Sequence, residues 1–343
     1  MQNIVKPQMI LSQFWAEKVD SVTHGLTQLH AKITEIKIKP EQIIFISAGE
    51  VKPLLNPQIF AFCETINNTF QCEIDFVSAA CASLHASIFH FNQSDANKCL
   101  VILLELDQEL QQGCLNALGV GNTENQDGLT VNNCVGYCLL EKRSALAQDI
   151  IIEQCQIFSQ PAGILGMPKL LNQLVAHIET VIAHGVFVSF DISSLWGEKL
   201  KAALTHRLKQ FKTPTNWLSS IETDHQHYLS LKPILELQNY RHQLNNKPFI
   251  ILTLGGGGRV GSLQLTMNTL SQTHIKEASF NGFSLTEDHA LYQQSLNVKT
   301  HSIQAYHAIV KATLKYPQLQ YRGINNHYFQ WSLNLINQSG VKT

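Results

Sequence analysis

Strand-like and helix-like segments alternate along this chain, and their order in the first half is repeated in the second. Each half has three short apolar runs of strand length, at residues 42–47, 73–78 and 98–104 and again at 186–190, 216–221 and 249–254. Segments with helical spacing lie between them, at residues 56–68 and 81–92 and at residues 192–208 and 228–237. This alternation predicts a mostly parallel α/β fold, and the repeat predicts two halves related by a pseudo-twofold axis.

The repeat also predicts how the chain is divided. Each half is expected to close with one more strand, at residues 134–141 and 262–267. We therefore divide the chain into a first half, a second half and a C-terminal extension to which the sequence assigns no role, at residues 1–148, 149–268 and 269–343.

The beginning of the chain is predicted to be helical. Apolar side chains recur at helical spacing from residue 11 to residue 33, at Phe14, Val19, Val22 and Leu26. A helix that starts so early leaves the first half without an opening strand.

Composition excludes several classes of protein. The net charge is −1 without a cluster of Lys or Arg, so a nucleic-acid or anionic-membrane surface is not expected. The eight cysteines include no C-x-x-C pair, so neither a disulfide framework nor a cysteine zinc site is predicted. No cofactor is predicted. No apolar run approaches the roughly 20 residues of a membrane span. A reducing cytoplasm is the simplest location.

Cys81 lies where a strand-like run passes directly into a helix. Ile74, Phe76 and Val77 give the run its strand character, and small side chains flank the cysteine (Ser78-Ala-Ala-Cys81-Ala-Ser83). The unpaired N–H groups of a helix start favour a thiolate, which is the nucleophilic form of cysteine. The alternative is a buried structural cysteine, because free cysteines are commonly buried.

In this junction and in its order of elements, the chain resembles the thiolase-fold condensing enzymes, which include the β-ketoacyl-ACP synthases. Two further matches are the acidic end of a strand at Leu103-Leu-Glu105 and the glycine-rich turn Gly255-Gly-Gly-Gly-Arg-Val-Gly261. The resemblance implies a five-layered α/β/α/β/α arrangement of duplicated halves, with helices 81–92 and 228–237 near the pseudo-twofold axis. It also implies that Cys81 is the catalytic nucleophile.

The same resemblance implies a polar partner for Cys81 at the equivalent helix start of the second half. That segment reads Asp224-His-Gln-His227, and the family carries a His or Asn there. By helix phase we expect His225 to be catalytic and His227 to bind substrate beside it. An exposed polar turn and an Asp-His-x-His metal site are the alternatives.

The chain departs from the family at the strand 186–190, after which a first catalytic histidine is usual. Here the strand ends Ser189-Phe190-Asp191, and Phe190 is expected to occupy that position in the substrate pocket. Phe190 can neither take a proton nor donate a hydrogen bond, and an ionised Asp191 can only accept. The resemblance therefore leaves open whether decarboxylative condensation is retained.

The glycines Gly256, Gly257 and Gly258 are predicted to contact substrate. In the condensing-enzyme interpretation they let a backbone N–H approach that of Cys81 and complete an oxyanion hole. The spacing Gly256-x-Gly258-x-x-Gly261 also fits a dinucleotide fingerprint, but the following residues alternate like a strand rather than opening a helix.

Two functions follow from the resemblance. The first is a β-ketoacyl synthase-like acyltransferase that takes acyl groups from acyl carrier protein or CoA thioesters, in fatty acid, polyketide or related synthesis. The second is a non-catalytic partner, similar to a chain-length factor, in a heterodimer with a ketosynthase. Both imply a dimer, with itself or with a homologue.

Overall fold

The computed structural model describes most of the chain up to residue 268. The described ranges are 7–48, 56–77, 81–109, 111–112, 130–159, 166–182, 185–211, 215–219, 221, 226–243, 247–255 and 259–268. His225, the three glycines Gly256, Gly257 and Gly258, and residues 269–343 lie outside these ranges, so the predictions made for them stay predictions. Within these ranges, no helix is long and apolar enough to cross a membrane.

The first half begins with a strand, not with the long helix expected from the sequence. Its elements are β1 (Gln8–Lys18), α1 (Val22–Thr34), β2 (Gln42–Ile46), α2 (Pro57–Phe70), β3 (Glu73–Val77), α3 (Ser83–Gln93), β4 (Lys98–Glu105), β5 (Thr130–Val131) and β6 (Cys134–Arg143).

The elements of the second half are β7 (Ile150–Ser159), α4 (Met167–Ile182), β8 (Val186–Phe190), α5 (Leu195–Leu208), β9 (Thr215–Trp217), β10 (Gln226–His227), a 3₁₀ turn (Leu229–Leu231), α6 (Lys232–Tyr240), β11 (Phe249–Gly255) and β12 (Arg259–Met267). Apart from the placement of the two-residue strands β5 and β10, the second half repeats the order of the first.

The prediction of a helix from residue 11 was wrong because the apolar residues there serve long-range strand pairing. β1 lies between β6 and β7 and pairs antiparallel with both, so Met9, Ile10 and Leu11 are buried. The helix itself begins only at Val22, where the Ser21 hydroxyl caps it by accepting a hydrogen bond from the His24 N–H at 3.2 Å.

The strand order confirms the duplication. Ten strands follow one another in the order β3-β2-β4-β6-β1-β7-β12-β11-β8-β9, while β5 and β10 form a separate pair. We number the strands of each half separately, without β5 and β10, and read each set of five from its outer edge of the sheet toward the centre. Both sets then have the order 3-2-4-5-1. The two sets meet where β1 pairs with β7, at Ile10↔Ile151 and Leu11↔Ile150.

Three apolar clusters separate the layers. Strand alternation sends Val101 and Leu103 of β4 to a central cluster, which also contains residues of α3, α6 and the strands of the second half. Leu100 and Ile102 of β4 face a cluster shared with α1 and α2, and a third cluster joins the second-half strands to α4 and α5. Helices therefore lie outside each five-stranded set and between the two sets, which confirms the five-layered α/β/α/β/α arrangement.

Helix α3 lies inside the molecule. Every residue from Ser83 to Phe91 is buried, as expected for a helix in a central layer. Cys81 stands two residues before the first residue of this helix. The fold therefore places the thiol at the start of a buried helix, as the sequence predicted.

Candidate active site

Cys81 lies where the two halves of the molecule meet. Its side chain is 4% exposed and packs with Val131 and Leu229, with Ala48 beside them. Strand β10 of the second half pairs in parallel with β5 of the first, and this register places His227 opposite Val131. The short β5–β10 pair thus brings a histidine of one half to the cysteine of the other.

The thiol of Cys81 and the imidazole of His227 are within hydrogen-bond distance. The distance from Cys81 Sγ to His227 Nε2 is 3.0 Å, and the His227 side chain is buried. His225, which helix phase favoured, lies outside the described residues. Residues 226 and 227 are strand rather than the start of a helix, so the assumption behind that choice of phase does not hold here.

The second ring nitrogen of His227 faces a serine and an aspartate. Ser193 Oγ lies 2.9 Å from His227 Nδ1 and 2.6 Å from Asp191 Oδ1. Asp191 Oδ1 also accepts the Ser193 N–H at 3.0 Å, and Asp191 Oδ2 accepts the Leu254 N–H at 3.2 Å. His227 Nδ1 is 3.4 Å from Asp191 Oδ2. Cys81, His227, Ser193 and Asp191 therefore form one buried polar chain.

Phe190 is not part of this group. It is fully buried in the outer cluster with α4 and α5, and its ring meets Trp217 edge-on with a centroid distance of 6.4 Å. Successive side chains of a strand point to opposite faces, so when Phe190 enters the outer core the next residue turns toward His227. The expectation that Phe190 lies in the pocket beside the cysteine is therefore wrong, and the side chain that reaches His227 is that of Asp191.

Sequence reasoning considered Asp191 only as an acceptor and did not select Ser193. The available signal was an aspartate directly after a buried strand, followed two residues later by a hydroxyl at the start of a helix. An aspartate there accepts backbone N–H groups of its own turn, as the 3.0 Å bond from Ser193 N shows.

Glu105 fixes the backbone beside the site. Its buried carboxylate accepts from the Ala48 N–H at 2.8 Å, Gln111 Nε2 at 2.9 Å and Ser47 Oγ at 3.2 Å. It also accepts from the N–H and hydroxyl of Ser230. Burial raises the pKa of Glu105, and these hydrogen bonds oppose the shift. Because Ser230 follows His227 closely, Glu105 ties the end of β4 to the histidine segment.

The other described cysteines are in environments that oppose thiolate formation. Burial raises the pKa of Cys72 to about 11 and that of Cys134 to about 12. Burial also raises the pKa of four more thiols, those of Cys63, Cys99, Cys138 and Cys155. The Cys81 sulfur, by contrast, has a histidine nitrogen at 3.0 Å.

The described residues contain no group of three or more His, Cys, Asp or Glu side chains that could hold a metal ion. Asp224 and His225, which the metal alternative requires, lie outside the described ranges.

Comparison with known proteins supports the fold. No protein-family model and no curated protein matches the chain. Among solved structures, a glutamate-to-glutamine variant of OleA from Xanthomonas campestris is 13% identical, with a TM-score of 0.51 over 74% of this chain and 84% of that one. The 3-oxoacyl-(acyl carrier protein) synthase III FabH from Pseudomonas aeruginosa is 11% identical, with a TM-score of 0.51 over 77% and 100%. The chain therefore has the thiolase-like fold of these proteins.

Proposed function

We propose that the protein is a β-ketoacyl synthase-like acyltransferase in which Cys81 carries the acyl group. The observation that carries this proposal is the 3.0 Å distance between Cys81 Sγ and His227 Nε2 within a buried site. A nucleophile with a base at hydrogen-bond distance, itself oriented by a third group, is the arrangement of covalent acyl transfer. The thiolase-like fold supports the same chemistry.

The first step loads the enzyme. His227 Nε2 takes the proton of the Cys81 thiol, and the thiolate attacks the carbonyl carbon of an acyl thioester. The tetrahedral intermediate expels the thiolate of the carrier, which takes the proton back from His227. The products are acyl-Cys81 and a free carrier thiol. General-base assistance of this kind contributes roughly 10²–10⁴ in rate.

Two features are proposed to stabilise the oxyanion of that intermediate, namely the dipole of α3 and a pair of backbone N–H groups. Cys81 stands at the start of α3, where the helix dipole favours negative charge. The backbone N–H of Cys81 and one from Gly256, Gly257 or Gly258 are proposed to form the oxyanion hole.

The proposed donor is acyl carrier protein or CoA, and the proposed setting is fatty acid, polyketide or related synthesis in the cytoplasm. The likeness to a 3-oxoacyl-(acyl carrier protein) synthase III supports the carrier-protein donor, because that protein's name states the same carrier. We also propose a dimer, with a second copy or with a homologous ketosynthase.

A non-catalytic partner subunit, similar to a chain-length factor, is the second candidate. It is favoured by the absence of histidine at Ser189, Phe190 and Asp191, where the condensing enzymes usually carry one. Such a subunit would shape an acyl tunnel for its partner without forming an acyl-enzyme itself.

Intact-mass spectrometry after incubation with acyl-CoA and acyl-carrier-protein thioesters of several lengths distinguishes the two. We expect a mass gain of one acyl group in the wild type and none in Cys81→Ala. His227→Ala should load about 10²–10⁴ times more slowly.

Cys72→Ala is the matched control, because Cys72 is only partly buried, and this variant should load normally. Loading that survives Cys81→Ala would refute the assignment of the nucleophile. A wild type that no thioester loads would favour the partner subunit.

A further inference from the structure

The serine behind His227 determines which ring nitrogen carries the proton. An ionised aspartate can only accept hydrogen bonds, so the Ser193 hydroxyl donates its hydrogen to Asp191 Oδ1 at 2.6 Å. Toward His227 the serine oxygen can then only accept. The 2.9 Å contact therefore places the hydrogen of the neutral ring on Nδ1. The lone pair on Nε2 then faces the Cys81 sulfur at 3.0 Å.

The aspartate also prepares the site for a positive charge on the ring. Asp191 is 0% exposed and its Oδ2 lies 3.4 Å from His227 Nδ1. When Nε2 takes up a proton, the resulting imidazolium is stabilised by this carboxylate. The buried negative charge of Asp191 is in turn stabilised by the positive charge of the ring.

The backbone holds the aspartate in place. The Ser193 and Leu254 N–H groups donate to its two oxygens. Gly197 of α5 lies so close that a Cβ there would stand 2.6 Å from the Asp191 carbonyl oxygen and 2.6 Å from Leu254 Cδ1. The orientation of His227 is thus set before substrate arrives, which is the requirement for a preorganised catalytic group.

We propose that Asp191 and Ser193 are positioning residues for His227, and that they fit the site to an acceptor that brings its own proton. This inference rests on the proposed function. The acceptor class is a hydroxyl or amine, and the acceptor is not a malonyl thioester.

The transfer step balances with the groups present. The acceptor's O–H or N–H proton moves to His227 Nε2 while its oxygen or nitrogen attacks the carbonyl carbon of acyl-Cys81. The tetrahedral intermediate then expels the Cys81 thiolate, which receives that proton from Nε2. An ester or amide leaves, and Cys81 returns to its thiol form.

A malonyl thioester suits this arrangement poorly for three reasons. Its decarboxylation releases no proton for Nε2 to accept, and the resulting enolate needs hydrogen-bond donors, whereas neutral His227 presents an acceptor at Nε2. The buried carboxylate of Asp191 would also repel a malonyl carboxylate bound beside His227.

The positioning role is tested by the rates of loading and discharge of Cys81. Asp191→Asn and Ser193→Ala should lower both rates by about 10²–10⁴ with little change in KM for the thioester, because they act on the base and not on binding. Ser193→Thr keeps the hydroxyl and should recover most of the rate.

Ser194→Ala is the matched control, because Ser194 caps α5 and its hydroxyl accepts the Gly197 N–H at 3.0 Å. It should lower the melting temperature by about 1–3 °C and leave the rates unchanged. Equal rate losses in Ser194→Ala and Ser193→Ala, or full rates in Asp191→Asn, would overturn the positioning role.

The acceptor is tested on acyl-Cys81 prepared in advance, with hexanol, hexylamine and malonyl-CoA as separate probes. We expect hexanol or hexylamine to discharge the enzyme as ester or amide, and malonyl-CoA to release no carbon dioxide. Carbon dioxide with a condensation product, or an acyl-enzyme that no probe discharges, would overturn the acceptor inference alone. Failure to form acyl-Cys81 at all would instead refute the proposed function.

Discussion

At the scale of single residues, the site depends on which face of a strand each side chain occupies. Phe190 and Asp191 are neighbours, yet one packs in the outer core against Trp217 and the other bonds to Ser193. The composition of the Ser189–Asp191 segment shows that no histidine is present. It does not show which of the last two side chains turns toward His227.

His85 is a residue whose burial has a consequence for stability. It is 0% exposed, neither ring nitrogen has a hydrogen-bond partner among the described residues, and burial lowers its pKa to about 3. A Cβ on Gly261 would meet the His85 ring at 2.5 Å, so the ring packs directly against that glycine. The folded protein therefore keeps His85 neutral at any pH near neutrality.

We predict that His85 makes the protein less stable in mild acid. Below a pH of about 6.5 the unfolded chain binds a proton at this histidine while the folded chain does not, so the free energy of unfolding falls as the pH falls. The loss approaches about 1.4 kcal/mol per pH unit until the pH nears 3. Urea denaturation of the wild type and His85→Leu at pH 7.5 and 5.5 measures it.

The informative quantity is the change in unfolding free energy between the two pH values. It should be smaller in His85→Leu than in the wild type, by about 1 kcal/mol. His24→Leu is the control, because His24 is exposed on α1, and it should keep the wild-type difference. An identical difference in wild type and His85→Leu would contradict the prediction.

At the scale of elements, α6 carries an ion pair into the central layer. Lys232 and Glu236 lie one turn apart on this helix, are both 0% exposed, and have Nζ and Oε1 2.9 Å apart. Glu236 Oε1 also accepts the Ile221 N–H at 3.3 Å, while its Oε2 has no hydrogen-bond partner within the described part of the chain. The buried negative charge of Glu236 is therefore balanced by the ammonium group of Lys232.

We predict that breaking this pair costs more than removing it. Lys232→Met leaves Glu236 as a buried unpaired charge and should lower the unfolding free energy by about 3–5 kcal/mol. The double variant Lys232→Met with Glu236→Leu should recover a large part of that loss. Denaturant unfolding of the two single variants and the double variant measures the coupling.

Lys32 and Glu35 provide the surface comparison, because their ion pair at 3.2 Å is largely exposed. Lys32→Met should change the unfolding free energy by less than about 1 kcal/mol. If the double variant is no more stable than Lys232→Met, the loss in Lys232→Met does not come from the unpaired charge of Glu236, and the prediction is wrong.

At the scale of the whole molecule, folding brings a histidine nitrogen to one buried thiol among several. The seven described cysteines are all free, and burial raises the pKa of six of them, while His227 stands at the sulfur of the seventh. This contact is therefore a product of tertiary structure, because Cys81 and His227 come from different halves.

We predict that limiting iodoacetamide at mildly acidic pH labels Cys81 before any of the other six described cysteines. The reason is that only a thiolate reacts, that His227 is proposed to act as the base for Cys81, and that burial disfavours the other thiolates. Peptide mapping measures the label at each position.

His227→Ala should abolish this preference, and labelling of the unfolded chain should be even across all positions. Early labelling of Cys72, the most accessible of the other six, would count against the special environment of Cys81.

The sequence alone determined the α/β alternation, the duplication and the position of Cys81 before a buried helix. The strand runs, helical spacing and capping residues are local, because each can be recognised within one segment. The duplication is the repeat of such segments in the same order. The sequence misassigned the start of the chain, because the apolar residues of Gln8–Lys18 fit helical spacing as well as a strand held between β6 and β7.

Only the tertiary structure decided the partners of Cys81. The register of β10 against β5 selects His227, and the alternation at the end of β8 selects Asp191 over Phe190. Cys81 and His227 are 146 positions apart in the chain. Contacts over such separations depend on how two halves dock and on single-residue shifts in strand register, and a one-residue shift turns a side chain to the opposite face.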